Sequence, residues 1–213
     1  MLTLDDFDIR HRMNPLGDGP WKMRGTAMVH LASVVKANGY PTFRAFVDTL
    51  EPELKTFWSQ RFHLLQWYDV WGLYMAIHAL GRAKNLPFRS LLYAFGRTGA
   101  HFDLTKGAHK LVSRVFGPAA VTSQFPRLAE YLWHMYGKAE SERLAVNRVR
   151  IRTSDAPIMP GVAGEAVASG FLCSVVELFG GKNARTENTS MVANGHTKAG
   201  YELMDFEFHL SWD

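Results

Sequence analysis

The 213-residue chain has one cysteine, Cys173, and that count alone removes several chemistries. An internal disulfide is impossible, and so are the Cys-x-x-Cys patterns of metal and redox centres. Phosphate-cradling loops are missing as well: neither Gly-x-Gly-x-x-Gly nor a Walker-type Gly-Lys-Ser/Thr occurs. No Gly-x-Ser-x-Gly presents a serine at a nucleophile elbow, and no His-x-x-x-His or His-Glu-x-x-His offers paired metal ligands. The longest apolar runs, Gly72 to Gly81 and Ala166 to Val176, fall short of the ~20 residues of a membrane span. The opening MLTLDDFDIR is acidic, unlike the basic-then-apolar start of a secretory leader. These absences predict a cytoplasmic protein with no membrane span. The net charge of +4 is too slight, without clustering, to predict nucleic acid as a partner.

What is present is an ordinary globular composition, 47% hydrophobic and 21% charged. Aromatics reach 13%, with six Trp and fourteen Phe, which predicts a bulky core or a ring-lined pocket. At about 150 residues per domain, the length predicts a single domain over 1–213, with residues 1–22 irregular. Helical stripes then follow one another. Ala27, Met28, Leu31, Val34 and Val35 form the first, and Phe43, Phe46, Val47 and Leu50 the second, capped by Thr42. Pro52 starts a short helix through Trp58, and Asp69 caps one running to Gly81. Further stripes run from Pro87 to Phe95, from Asp103 to Phe116 and from Val121 to Met135.

The period then changes from helical to alternating. Val149 and Ile151 alternate with Arg148, Arg150 and Arg152, predicting a strand with one polar face. Val162 to Phe179 reads as a helix. Ala184 to Ala193 and Tyr201 to Trp212 read as strands joined by a loop containing Asn194-Gly195. The sum is an α+β chain: a helical N-terminal two-thirds packed on a short antiparallel sheet from a C-terminal β-α-β-β unit. The arginine row is expected to face Asp205 and Glu207 across that sheet.

Nine histidines raise the question of metal or haem. His101 and His109 are eight residues apart, ~12 Å along one helix, too far to share an ion. His78 and His134 sit beside apolar stripes, where an imidazole is either a packed core residue or an axial haem ligand. Cys173 lies among apolar neighbours that raise a thiol's pKa, so an inert packed thiol is expected and no catalytic residue is assigned. Rings and small residues concentrate where the helices from Pro87 to Phe116 and from Ala119 to Tyr136 should meet the sheet. Phe95, His101, Trp133, His134, Tyr136 and Cys173 are the candidate lining of a ligand pocket there.

Three stretches carry a resemblance: Leu104 to Pro118 (LTKGAHKLVSRVFGP), Phe125 to Gly137 (FPRLAEYLWHMYG) and Phe206 to Trp212 (FEFHLSW). With the helix Val162 to Phe179 between the strands, they resemble a paralogous family of roughly two-hundred-residue proteins of myxobacteria and their relatives. That family is similar in layout to a superfamily of haem nitric-oxide-binding domains, vinyl-reductase-type sensor domains and TRAPP subunits. The resemblance implies a helical part against a short sheet, with an apolar cavity that holds haem, aromatics or an acyl chain in different branches. The Tyr-x-Ser-x-Arg motif of the haem branch is absent, so no cofactor is expected and haem is disfavoured. The reading is a non-enzymatic sensor or signalling module for a small apolar ligand. Its alternatives are a dimeric or protein-partnered scaffold with a filled core, and a haem-based sensor.

Overall fold

A computed structural model of the chain describes residues 12–106, 117–134 and 137–213. Strand β1 (Lys22–Arg24) leads into helix α1 (Gly25–Ala37), followed by α2 (Phe43–Val47), α3 (Pro52–Trp58) and strand β2 (Trp67–Asp69). Helices α4 (Val70–Lys84), α5 (Phe88–Lys106), α6 (Pro118–Ser123) and α7 (Phe125–Leu132) come next, then strand β3 (Trp133–His134). The C-terminal part runs β4 (Lys138–Ala145), β5 (Arg148–Pro157), α8 (Ile158–Leu178), β6 (Arg185–Lys198) and β7 (Tyr201–Ser211). The architecture is the expected α+β one, helices first and an antiparallel sheet last.

Local chemistry sets the helix starts. Thr42 caps α2 by accepting from the Ala45 amide at 3.1 Å, and Pro52 occupies the first turn of α3. The buried Asp69 carboxylate caps α4 at the Trp71 amide, 3.0 Å away, and also accepts from the amides of Gly17 and Gly19 at 3.0 and 3.1 Å. One side chain thus starts a helix and anchors the N-terminal loop.

Helix α5 runs through Gly96 and Gly99 from the first of the two expected stripes into the start of the second, as far as Lys106. Its path is explained by the crossing with α8. A Cβ on Gly96 would stand 2.1 Å from the Val167 carbonyl oxygen, and one on Gly170 would stand 2.0 Å from that of Tyr93. The helix backbones therefore touch at two glycines, and the helix-breaking tendency of Gly is overridden by packing. Residues 107–116, where the sequence predicts the remainder of a helix, lie outside the described residues.

Two sheets form. The larger is antiparallel in the order β4-β5-β7-β6, and the smaller is β2-β1-β3. Strand β7 alternates as predicted: Met204, Phe206, Phe208 and Leu210 are buried under α8, with Val149 and Ile151 of β5 beside them. On the outer face Arg152 meets Asp205 at 3.3 Å, Arg150 pairs with Glu142 of β4, and Arg148 donates to His209 Nδ1 at 2.8 Å. The expected β6–β7 loop at Asn194-Gly195 is a β-bulge within β6, where the register shifts between Ala193 and Thr197. The hairpin turns instead at Ala199-Gly200, both with positive φ (50° and 83°), as a two-residue turn of that hand requires.

Helix α8 is buried almost all round. Its stretch Pro160–Leu178 is long and apolar enough to cross a membrane, beyond what the shorter apolar runs suggested, yet 89% of it is buried inside the fold. It is the central core helix, held between α5 and the sheet.

Candidate functional site

The small sheet sets the directions of two side chains. Along β3, alternation turns Trp133 inward, 9% exposed, and leaves His134 outward. Pairing with β1 sets Met23 opposite Trp133 and Lys22 opposite His134. Arg24 clamps the neighbourhood: its guanidinium lies 4.0 Å from the Trp67 ring and 5.0 Å from that of Tyr131, and Nε donates to the Tyr131 carbonyl at 3.0 Å. Trp67 in turn packs against the His134 imidazole in a tilted arrangement, centroids 5.3 Å apart.

Trp133 is a wall shared by two cavities. The larger, about 250 Å³, lies between α7, α8 and the sheet. Phe125, Ala129, Trp133 and Phe206 give it apolar walls, Gly164 and Ala168 of α8 leave it room, and Glu130, His134, Lys138 and Thr153 supply polar groups. The smaller, about 30 Å³, lies between α1, α5 and α8, and is lined by Met23, Ala27, His30, Phe95, Gly99, Asp103, Leu132, Trp133 and Phe171 among others.

Besides Arg24, the smaller cavity is lined by His30 and Asp103. His30 is 4% exposed, between the rings of Phe95 and Phe102 at 5.0 and 5.2 Å. The Thr98 hydroxyl donates to the Ala94 carbonyl at 2.9 Å and so accepts from His30 Nε2, also at 2.9 Å, which places a proton on that nitrogen. Asp103 enters from α5 one turn beyond Gly99. Burial pushes its carboxyl up to about 6, because a charge there loses its water.

The sequence-chosen residues are divided by this geometry. Trp133 and His134 line the larger cavity; Phe95 and Trp133 line the smaller. His101 is exposed on α5, two residues and more than half a turn from Gly99, and lines neither. Cys173 is fully buried on α8, away from both cavities, with its pKa raised by burial. Tyr136 lies outside the described residues. Sequence reasoning missed Asp103, Lys138, Ala168 and the Arg24 clamp, none of which stands in a motif.

No protein family model and no curated protein matches the chain. Solved structures do. A Cs H-NOX mutant carrying 4-cyano-L-phenylalanine superposes with a TM-score of 0.65 at 8% identity, covering 90% of this chain and 97% of that one. An oxygen-binding H-NOX domain related to soluble guanylate cyclases, in its oxygen complex, gives 0.63 at 8% identity, covering 90% and 95%. The H-NOX protein of S. oneidensis in its Fe(II)NO state gives 0.62 at 14% identity, covering 90% and 99%. The fold is that of the H-NOX domains. At these identities the likeness to H-NOX proteins is one of fold.

The comparison corrects the cofactor expectation. The sequence reading predicts no cofactor and disfavours haem, but H-NOX domains sharing this fold were solved in work on haem distortion and haem redox potential. A missing three-residue motif removes one set of contacts and leaves other donors in place. The larger cavity is bordered by residue types a haem site uses: the Lys138 ammonium for carboxylates, the rings of Phe125, Trp133 and Phe206, and His134, whose ring lies at the outward face of β3 against Trp67. Its volume of about 250 Å³ approaches the lower end of ligand pockets, ~300 Å³. The residue types suit the group, with the His134 ring turned outward.

Proposed function

We propose that this chain is a non-enzymatic, haem-binding sensor module built on the H-NOX fold. The observation that carries the reading is the cavity walled by Trp133, with His134 and Lys138 at its polar side, in a chain whose fold matches oxygen- and NO-bound H-NOX structures. Haem would supply an iron centre able to take a diatomic gas. The chain's own residues do the rest. Trp67 and the β1–β3 pairing hold the His134 ring, and Trp133 covers the apolar floor against water. Lys138, exposed and 2.7 Å from Glu140, stands free of the core and can turn to a carboxylate. Gly164 and Ala168 keep the α8 wall low.

Haemin titration of the purified protein tests the proposal. A saturable one-to-one Soret band is expected, weakened in His134→Ala and in Ala168→Phe, which narrows the cavity. Absence of a saturable band, or an unchanged affinity in both variants, refutes it.

A further inference from the structure

Composition and exposure disagree in the loop from Ser59 to Gln66. Solvent-facing turns favour Gly, Asn, Asp and Ser, yet this one turns on Leu64 and Leu65, which are 48% and 69% exposed. Its backbone is firmly held. The Gln66 amide donates to the His63 carbonyl at 3.1 Å, the Gly25 amide donates to the Gln66 carbonyl at 2.9 Å, and the His63 amide donates to the Tyr68 hydroxyl at 2.8 Å. A Cβ on Gly25 would stand 2.0 Å from the His63 carbonyl oxygen, so the turn is pressed against the start of α1. The two leucines are therefore held out in water by a fixed turn, and they border neither cavity.

Arg24 gathers more ring surface beside them. Its Nη1 donates to the Leu65 carbonyl, and its guanidinium lies against the rings of Trp67 and the exposed Tyr131. Charge around this patch has one sign. Arg61, three residues before Leu64, is exposed and has no ion-pair partner among the described residues. Arg127, one turn before Tyr131 on α7, is exposed as well. No Asp or Glu occurs between Asp18 and Asp48 or between Glu53 and Asp69. Asp69 itself is buried and engaged by three backbone amides, and Glu130 lines the larger cavity.

We propose that this patch seats the protein on an anionic bilayer surface. Leu64 and Leu65 enter the boundary between headgroups and acyl chains, Trp67 and Tyr131 lie at headgroup level, and Arg61 and Arg127 meet lipid phosphates. A bilayer accepts a projecting apolar tip of any outline, so a fixed turn needs no shaped counterpart, and the single sign of charge selects the lipid. Two partly exposed leucines anchor weakly, and a few cations without apolar contact are screened by salt, so the seating is reversible and needs both signals. It does not depend on haem.

Vesicle co-sedimentation of the full chain tests this. Binding is expected to phosphatidylcholine vesicles that include phosphatidylglycerol and not to phosphatidylcholine alone, and it should weaken from low salt to ~0.15 M. Leu64→Ser combined with Leu65→Ser should lower the affinity about tenfold or more, since the leucine surface still open to water is what the bilayer would cover. Arg61→Gln should lower it about fivefold, as for ~1 kcal/mol per basic side chain near such a surface. Leu144→Ser combined with Val146→Ser, an exposed apolar pair beside Arg143 at the end of β4, should bind like wild type. Brominated lipid should quench part of the tryptophan emission, and Trp67→Phe should remove that quenching, because the other five tryptophans are buried. Absence of binding to the anionic vesicles leaves the patch to a protein partner and overturns the proposal. Unaltered binding of a folded Leu64/Leu65 variant, or an equal loss in the β4 pair, overturns it too. Should the leucine variant not fold, the wild type still decides: bound protein whose emission brominated lipid leaves unquenched does not insert this turn.

Discussion

Replacing Gly96 by alanine sets two effects of opposite sign against each other. In an open helix the change gains ~0.5–1 kcal/mol, because alanine loses less backbone freedom on folding. Here the new Cβ would meet the Val167 carbonyl oxygen at 2.1 Å, against 3.4 Å for ordinary contact, so α5 and α8 must part by 1.3 Å, the difference. That oxygen is backbone and cannot swing aside as a side chain would. Overpacking of this kind costs ~1–3 kcal/mol, and parting the helices also loosens Leu92, Phe95 and Phe171. The net expectation is a loss of about 1–2 kcal/mol, seen as a lower urea midpoint with an unchanged slope. Gly99 supplies the control within the same helix, since its Cβ has 3.8 Å of clearance. Gly99→Ala should raise stability by ~0.5–1 kcal/mol. If Gly96→Ala matches or exceeds Gly99→Ala, the close crossing is not what holds these helices together.

Other substitutions read other parts of the structure. Phe208→Ala empties a fully buried site under α8 and should cost ~3–5 kcal/mol by denaturant unfolding; a cost below 1 kcal/mol would mean the sheet face is not packed as described. Asp69→Ala removes three amide contacts, one of them the α4 cap, and should cost about 3 kcal/mol, with the N-terminal loop becoming sensitive to proteolysis under native conditions. Cys173 should label slowly with iodoacetamide at pH 7 and rapidly in urea, since its raised pKa and burial leave little thiolate; fast stoichiometric labelling of folded protein would contradict its placement.

What could be read from sequence followed the strength of each periodic signal. Strand β7 was legible because Met204, Phe206, Phe208 and Leu210 alternate with polar residues over a long run, and α8 because its apolar stretch lies between Gly161 and Gly180-Gly181. Strand β4 was not, since KAESERLA is an edge strand exposed along nearly all its length and shows no apolar alternation. Two- and three-residue strands such as β1 and β3 give no period at all. Asn194-Gly195 misled because the pair serves a bulge as readily as a turn. At the site, rings advertised Trp133 and His134. Asp103 gave no signal, because an aspartate in a helix reads as a solvated charge until tertiary packing removes its water.

The apolar character of α8 has a consequence for how the chain must be made. In the native state it is hidden, but on an emerging or partly denatured chain Pro160–Leu178 is a sticky segment as greasy as a bilayer anchor. It leaves the ribosome after α5 and before β6 and β7, so α5 is there to receive one flank while the other waits for the last strands. During that interval the nascent chain needs shielding. Truncations that end before β7 should therefore precipitate or recruit chaperones rather than accumulate as folded fragments.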